Sequence, residues 1–282
     1  MDLSTIFGKT SLPGFTAEYL HRLPYTAPQA ADLSRLPRLA DFFIMAQTPQ
    51  VEVLADSQAG FIQKYFTSEI EIQNLLDQGG TLVIRHAEQH DDRLSELAKC
   101  FEKYFGGAVD IQLFATTRHL EGLNWHYDVE DVYLVSLQGV KEYGIRKNTV
   151  NPLPLLENLP TNMRYEREVT PLYRVSLSPG DLLYLPPGYW HCAKNLSHQL
   201  SLILSIGILS RTAMSIYDEL RRHMLDSLAW RQRLPPLEGI EPEVRAAHYK
   251  QLFQTLASEF IFQLNRPEFQ EKWLAASDSA AL

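Results

Sequence analysis

A long succession of short strand-like segments between residues 109 and 209 constrains the fold more than any other feature of the sequence. The segments are rich in β-branched, aromatic and leucine side chains, and glycine or proline separates most of them. Strands in such close succession, without a helix between each pair, favour a barrel or a sandwich over a parallel sheet. The segments are 110–116, 132–137, 140–145, 173–177, 182–185 and 199–209.

A histidine and an aspartate stand two residues apart in Trp125-His126-Tyr127-Asp128, before the second of these segments. Side chains at positions i and i+2 of an extended strand point to the same face, so an imidazole and a carboxylate project together. A second histidine, His191, follows the sequence Leu-Pro-Pro-Gly-Tyr-Trp. Two histidines and one carboxylate on one face of a metal ion leave the opposite coordination positions open, which is the ligand set of non-haem Fe(II) oxygenases.

Each of these residues also has a purely structural interpretation. A lone histidine beside Trp190 is usually a packed, hydrogen-bonded core residue, and Asp128, Glu130 and Asp131 together form a solvated acidic turn in many proteins. The joint spacing of the three ligands favours the metal site over both interpretations.

His86 and His90 lie four residues apart, which is the spacing at which two histidines on one helical face bind zinc. The neighbouring Asp91 and Asp92 favour a helix N-terminus, so the segment is predicted to be a polar loop that leads into a helix over 94–105.

Residues 1 to about 50 contain spaced prolines that break up any long helix, and this stretch is predicted to wrap the surface.

Composition excludes several classes of function. The 282 residues carry a net charge of −8, so the surface as a whole lacks the excess of positive charge that attracts nucleic acid. Direct DNA binding is therefore not expected. The longest apolar run, 200–209, is too short to span a bilayer. Cys100 and Cys192 give no disulfide framework and the N-terminus has no signal-peptide pattern, so a cytoplasmic location is expected.

The order of these pieces resembles the JmjC/cupin-type 2-oxoglutarate oxygenases, and most of all the bacterial ribosomal-oxygenase branch often labelled cupin-4. The resemblance covers about residues 60 to 208. It combines H-x-D, a lysine fifteen residues after the first histidine, and a P-G-D…L-P-x-G…H block, and this combination is specific. The matching residues are 122–128, 131–134, 137–141, 179–188, His191 and 205–207.

The resemblance implies a fold of mainly β-strands with helices, in which a double-stranded β-helix (a jelly-roll or cupin barrel of the JmjC type) occupies residues 1–208 with N-terminal helical and irregular elements. It also implies that His126, Asp128 and His191 are the catalytic centre and hold Fe(II). The expected co-substrates are 2-oxoglutarate and O₂.

Three further residues are expected to bind 2-oxoglutarate because of the resemblance. Lys141 would meet the distal carboxylate, and chemistry supports this role because an ammonium group inside a barrel is costly unless it is paired. The alternative is that Lys141 points outward and only solubilises an edge. Thr116 and Ser205 on flanking strands would donate further hydrogen bonds, unless they satisfy backbone groups instead.

Substrate contacts are expected from Gln112, Phe114, Trp125 and Tyr133. Ribosomal oxygenases usually have Asn and Tyr where this sequence has Gln112 and Phe114, which indicates a different target. Trp125 is expected to narrow the mouth of the barrel or stack on a substrate ring, and a packed aromatic is the alternative. A closed pocket lined by Trp125, Phe114 and Tyr133 would favour a small-molecule substrate, whereas a wide acidic mouth would favour a protein.

The leading hypothesis is therefore hydroxylation of a C–H bond in a protein or peptide side chain, ribosomal proteins included, with release of succinate and CO₂. One alternative is the same chemistry on a small molecule, such as an amino acid or a natural-product intermediate. Another is a catalytically silent cupin that acts as a binding module. Residues 209–282 have helical periodicity, and the resemblance implies that they build a homodimer; packing on the same chain is the alternative.

Overall fold

The computed structural model describes residues 1–57, 60–117, 124–161, 163, 165, 168–197, 199–236 and 238–279. The chain divides into two compact units, Met1–Ser210 and Arg211–Leu282. Gly122 and Leu123, which begin the first matching motif of the sequence, lie outside the described residues.

Two antiparallel sheets form the barrel of the first unit. The larger sheet has the order β1-β9-β6-β11-β5-β4-β2-β3, and the smaller sheet has the order β10-β7-β8. The double-stranded β-helix predicted for this chain is confirmed. The strands are β1 (Tyr25–Ala27), β2 (Val53–Ser57), β3 (Gly60–Lys64), β4 (Thr81–Ile84), β5 (Ala108–Thr116), β6 (Asp131–Gln138), β7 (Lys141–Arg146), β8 (Tyr173–Leu177), β9 (Leu182–Leu185), β10 (Trp190–Asn195) and β11 (Ser201–Leu209).

The turn between β6 and β7 carries the chain from the larger sheet to the smaller one. Gly139 has a φ of 76° there, and a side chain at this position would lie 2.9 Å from the Cα of Ser201. Only glycine meets both conditions without strain. Because the turn fixes where β7 starts, it determines that Lys141 and Tyr143 point into the barrel.

The N-terminal residues are part of the core, which corrects the prediction that they wrap the surface. Phe7 and Phe15 are 1% and 2% exposed, and their rings pack with Phe101 around Tyr133. Proline spacing hid this role because the helices that carry these side chains are too short to show a periodic apolar stripe. The helices are α1 (Ser4–Phe7), α2 (Leu12–Glu18), α3 (Leu39–Ala46), α4 (Glu69–Asp77) and α5 (Asp92–Phe105).

The second unit is helical and has a small core of its own. Leu220, Met224 and Phe269 are buried together. No helix in the described part of the chain is both long and apolar enough to cross a membrane. The helices are α6 (Ala213–Met224), α7 (Leu228–Arg231), α8 (Pro242–Leu264) and α9 (Pro267–Ser279).

Candidate metal centre

His126, Asp128 and His191 converge on one point at one end of the barrel. One nitrogen or oxygen atom from each lies within 4.8 Å of the others, and His191 Nε2 is 3.4 Å from Asp128 Oδ2. Two reciprocal backbone hydrogen bonds hold His126 against His191, with N···O distances of 3.1 and 2.8 Å. The backbone N–H of Gly188 also donates to the carbonyl of Asp128 over 2.8 Å. The ligand segments are thus fixed by backbone contacts before any metal binds.

A hydrogen bond from Nδ1 to a backbone carbonyl orients each of the two imidazole rings for metal binding. His126 Nδ1 donates to the carbonyl of Asn124 over 2.7 Å, and His191 Nδ1 donates to the carbonyl of Tyr189 over 3.1 Å. These bonds leave each Nε2 as the atom with the free lone pair. Burial and the neighbouring His126 lower the pKa of His191 to about 4, although Asp128 opposes the shift. The ring is therefore neutral at neutral pH, which is the form that binds metal.

Aromatic residues beside the ligands anchor the centre to the irregular segment that follows β7. Trp190 Nε1 donates to Glu168 Oε1 over 3.0 Å, and Asn151 donates to the hydroxyl of Tyr127 over 3.3 Å. The rings of Tyr127 and Trp190 meet edge to face at 4.7 Å. This packing restricts the strand segments that carry His126 and His191.

A cavity of about 210 Å³ lies between the two sheets, and the three candidate ligands line part of its wall. Alternate residues of five strands and of the H-x-D segment line it, as the two-residue period of a strand requires, and a sixth strand, β4, contributes Thr81. The lining residues are Thr81, Asp110, Gln112, Phe114, Thr116, His126, Asp128, Glu130, Val132, Leu134, Lys141, Tyr143, His191, Ala193, Ile203, Ser205 and Gly207.

Lys141 points into this cavity, so the alternative of an outward lysine is contradicted. Its side chain is 4% exposed, and Nζ donates to Thr116 Oγ1 over 3.3 Å. Thr81 in turn donates to the same Thr116 oxygen over 3.4 Å. Within the described residues no carboxylate lies within 4.0 Å of Nζ, and burial lowers the pKa of Lys141 to about 8. The cavity therefore contains a buried ammonium group without a counter-charge.

The other end of the cavity is acidic. Asp110 and Thr116 lie at opposite ends of the same face of β5, six residues or roughly 20 Å apart. Glu130 lies near Asp110 and Asp128, and burial together with those two carboxylates raises the pKa of Glu130 to about 7. Gly207 leaves room for Glu130, because a side chain at Gly207 would clash with its carboxylate. The cavity is thus negative beside the candidate ligands and positive at Lys141.

Eight of the ten site residues predicted from the sequence line the cavity, whereas Trp125 and Tyr133 do not. The eight are His126, Asp128, His191, Lys141, Thr116, Ser205, Gln112 and Phe114. 

Gln112 Nε2 donates to Asp110 Oδ2 over 2.6 Å, which fixes Gln112 at the acidic end.

Tyr133 is not a substrate contact, which corrects that prediction. Its side chain is fully buried on the opposite face of β6, within the aromatic core, while its neighbours Val132 and Leu134 face the cavity. A continuously apolar strand gives no sign of which face is which, because both of its faces are buried.

Trp125 also lies away from the cavity. Its ring covers Gly144 on the outer face of the smaller sheet and stacks on Tyr165 at a centroid distance of 4.2 Å. This is the packed-aromatic alternative. It follows from the alternation that turns His126 and Asp128 inward and therefore turns Trp125 outward.

Asp110, Glu130, Thr81 and Tyr143 line the cavity but were not predicted as site residues. Asp110 could have been found, because it precedes Gln112 by two residues on the same strand face. Thr81 could not, because its place beside Thr116 depends on the pairing of β4 with β5 across a long stretch of sequence.

The donor set fits an iron(II) ion. Two imidazole nitrogens and one carboxylate oxygen lie within 4.8 Å of one another on the wall of the cavity, which leaves space beside them for the co-substrates that such a metal must also bind. His126, Asp128 and His191 would hold the ion. Their assignment as ligands stays a prediction until metal binding is measured.

Comparisons with known proteins agree with this geometry. A JmjC domain model matches residues 81–216. Ribosomal oxygenase 2 of Mus musculus is 30% identical over 128 residues, which are 44% of this chain and 27% of that protein. The bifunctional lysine-specific demethylase and histidyl-hydroxylase NO66 of Dictyostelium discoideum is 26% identical over 129 residues, which are 46% of this chain and 25% of that protein. The chain thus spans about a quarter of the length of these relatives.

A solved structure extends the likeness to nearly the whole chain. The ribosomal oxygenase YcfD from Escherichia coli, in complex with cobalt and 2-oxoglutarate, superposes with a TM-score of 0.60. The alignment covers 96% of this chain and 71% of that one, at 16% sequence identity, so it is evidence for the fold. Residues 81–216 therefore resemble a JmjC domain, and the chain has the JmjC/cupin-type fold that its sequence predicted.

Proposed function

We propose that this protein is an Fe(II)- and 2-oxoglutarate-dependent oxygenase that hydroxylates a C–H bond in a protein or peptide side chain. One observation carries the proposal: an imidazole-imidazole-carboxylate set and a buried, unpaired lysine share one cavity. When bound, iron with 2-oxoglutarate and O₂ supplies the oxidant, and succinate and CO₂ are the co-products. The residues of the chain bind and orient these groups.

Each end of the cavity has a distinct task in this proposal. The Lys141 ammonium, held by Thr116, pairs with the distal carboxylate of 2-oxoglutarate. Ser205 and Thr116 supply hydroxyl groups along the same wall. Apolar side chains between the lysine and the candidate ligands exclude water, which strengthens the charge interactions inside; they are Phe114, Val132, Leu134 and Ile203.

A basic protein or peptide is the favoured substrate. Asp110 and the partly ionised Glu130 give the ligand end of the cavity a negative charge, which attracts a cationic side chain. The names of the relatives, ribosomal oxygenase and histidyl-hydroxylase, support a ribosomal protein among the candidates. A small-molecule substrate has less support, because Trp125 and Tyr133 do not close an aromatic pocket.

A homodimer is proposed for the second unit. Its helices expose large apolar side chains, among them Phe253 (65%), Ile261 (59%) and Phe262 (61%). Light scattering of the full chain should give twice the 32.3 kDa mass of one chain, and a single-chain mass would contradict the dimer. A cytoplasmic location, without direct DNA binding, is also proposed; Cys100 and Cys192 are in no disulfide within the described residues, which supports a reducing compartment.

Turnover of 2-oxoglutarate tests the activity. The protein is incubated without oxygen with Fe(II) and 2-oxoglutarate, air is admitted, and succinate is followed by NMR. We expect slow succinate formation that rises several-fold with a peptide pool rich in arginine, lysine and histidine, and not with a length-matched acidic pool. Stimulation only by free amino acids would favour the small-molecule alternative. Failure to bind either iron or 2-oxoglutarate would favour the silent cupin.

A further inference from the structure

A second group of metal-ligand side chains lies beside the cavity and shares no residue with the first. His86, Glu88 and Asp110 each direct one nitrogen or oxygen atom to within 4.8 Å of the other two. Their side chains are 39%, 14% and 21% exposed, so the group is largely enclosed but still open to an ion from solvent. His90, the partner suggested by sequence spacing, is not a member of this group.

Hydrogen bonds to the neighbouring atoms orient two of the three side chains. The backbone N–H of Ile111 donates to Glu88 Oε2 over 2.9 Å, and Gln112 Nε2 donates to Asp110 Oδ2 over 2.6 Å. One oxygen of each carboxylate thus accepts a hydrogen bond, and the other oxygen, Glu88 Oε1 or Asp110 Oδ1, faces His86 Nδ1. Outer contacts of this kind fix the direction of a metal ligand.

One of the remaining carboxylate oxygens has no hydrogen-bond partner. Asp110 Oδ1 is buried and accepts no hydrogen bond, although His86 Nδ1 lies only 2.8 Å from it. In the described part of the chain no lysine or arginine nitrogen comes within 4.0 Å of Glu88 or Asp110. A buried carboxylate oxygen without a donor or a counter-charge is costly. A cation between the three side chains would satisfy it.

We propose that His86, Glu88 and Asp110 bind a second divalent metal ion that accepts both nitrogen and oxygen ligands, such as Zn²⁺. The site is independent of His126, Asp128 and His191. Because Asp110 also lines the cavity and holds Gln112, an ion here fixes the acidic end of the cavity wall.

Zinc stoichiometry of the full chain tests this proposal. Metal-free protein, prepared with a chelator, is titrated with Zn²⁺ in competition with a chromophoric chelator. A variant with His126→Ala and His191→Ala removes the first group and is expected to bind one zinc ion. Adding His86→Ala to it should raise the dissociation constant at least ~30-fold, and adding Glu88→Gln should weaken binding as well.

The matched control is His90→Ala in the same background, which should leave that zinc affinity unchanged. Far-ultraviolet circular dichroism of each variant shows whether it is folded, and the Glu88→Gln variant serves if His86→Ala unfolds. Zinc binding that survives both His86→Ala and Glu88→Gln would overturn the proposal, as would a His126→Ala, His191→Ala protein that binds no zinc. Neither result depends on whether the protein turns over 2-oxoglutarate.

Discussion

Replacing His126 with alanine should remove one bound metal ion and reduce 2-oxoglutarate turnover at least ~100-fold. The substitution deletes one of three converging donors, and even the loss of an outer contact to a metal ligand typically costs 10–100-fold in affinity or activity, so this is a lower bound. Fold should be preserved, because the backbone bonds between His126 and His191 do not need the imidazole. Visible absorption of bound Co²⁺ measures the first effect, and succinate formation measures the second.

His248→Ala is the matched control for this experiment. His248 is exposed on α8, far along the chain from the candidate ligands, so its loss should change neither metal stoichiometry nor turnover. Full metal stoichiometry in the His126→Ala protein would contradict the assignment of the centre. Lost turnover with an intact Co²⁺ spectrum would instead assign His126 a role other than metal binding.

The sequence predicted the placement of His126, Asp128 and Lys141 because that placement depends on local rules. The two-residue period of a strand places His126 and Asp128 together, and the glycine turn at Gly139 sets the register of Lys141. The same period explains why Gln112, Phe114 and Thr116 share one wall.

The features that sequence reasoning missed depend on long-range packing. Tyr133 lies on a strand that is apolar on both faces, so only the aromatic side chains of α1, α2 and α5 decide which face it joins. The Glu88 side chain lies beside Asp110 because it accepts a hydrogen bond from the backbone N–H of the next residue, Ile111. Strand β5 brings Ile111 next to the turn that follows β4. No local pattern in the sequence encodes that contact.

Replacing Lys141 with methionine should weaken 2-oxoglutarate binding at least ~30-fold while making the metal-free protein more stable. The first effect follows from the loss of a buried charge pair, which costs roughly 2–5 kcal/mol. The second follows because the free protein carries a buried ammonium without a counter-charge, and methionine fills a similar volume without that cost. Isothermal titration measures the affinity, and denaturant unfolding measures the stability.

The sign of the stability effect follows from the pKa of Lys141, which is about 8 in the folded protein against 10.5 for an ordinary lysine. Between these values the unfolded chain binds a proton that the folded chain does not, so stability rises with pH. Below pH 8 both forms are protonated and the folded one carries the full penalty, on the order of 3 kcal/mol. The advantage of Lys141→Met should therefore be largest near pH 7 and vanish above pH 10.5.

Binding of 2-oxoglutarate has the opposite pH dependence. A dicarboxylate needs the protonated amine, so the affinity of the wild-type protein for 2-oxoglutarate should fall as pH rises above about 8, by at most about tenfold per pH unit. The Lys141→Met variant should show no such fall.

Lys194→Met is the matched control, because Lys194 is exposed on the outer face of β10. This variant should keep the wild-type affinity and its pH dependence. Wild-type affinity in Lys141→Met would mean that another group holds the distal carboxylate. Lower stability in that variant would mean that the ammonium has a partner in the free protein, and the buried lysine would then be structural.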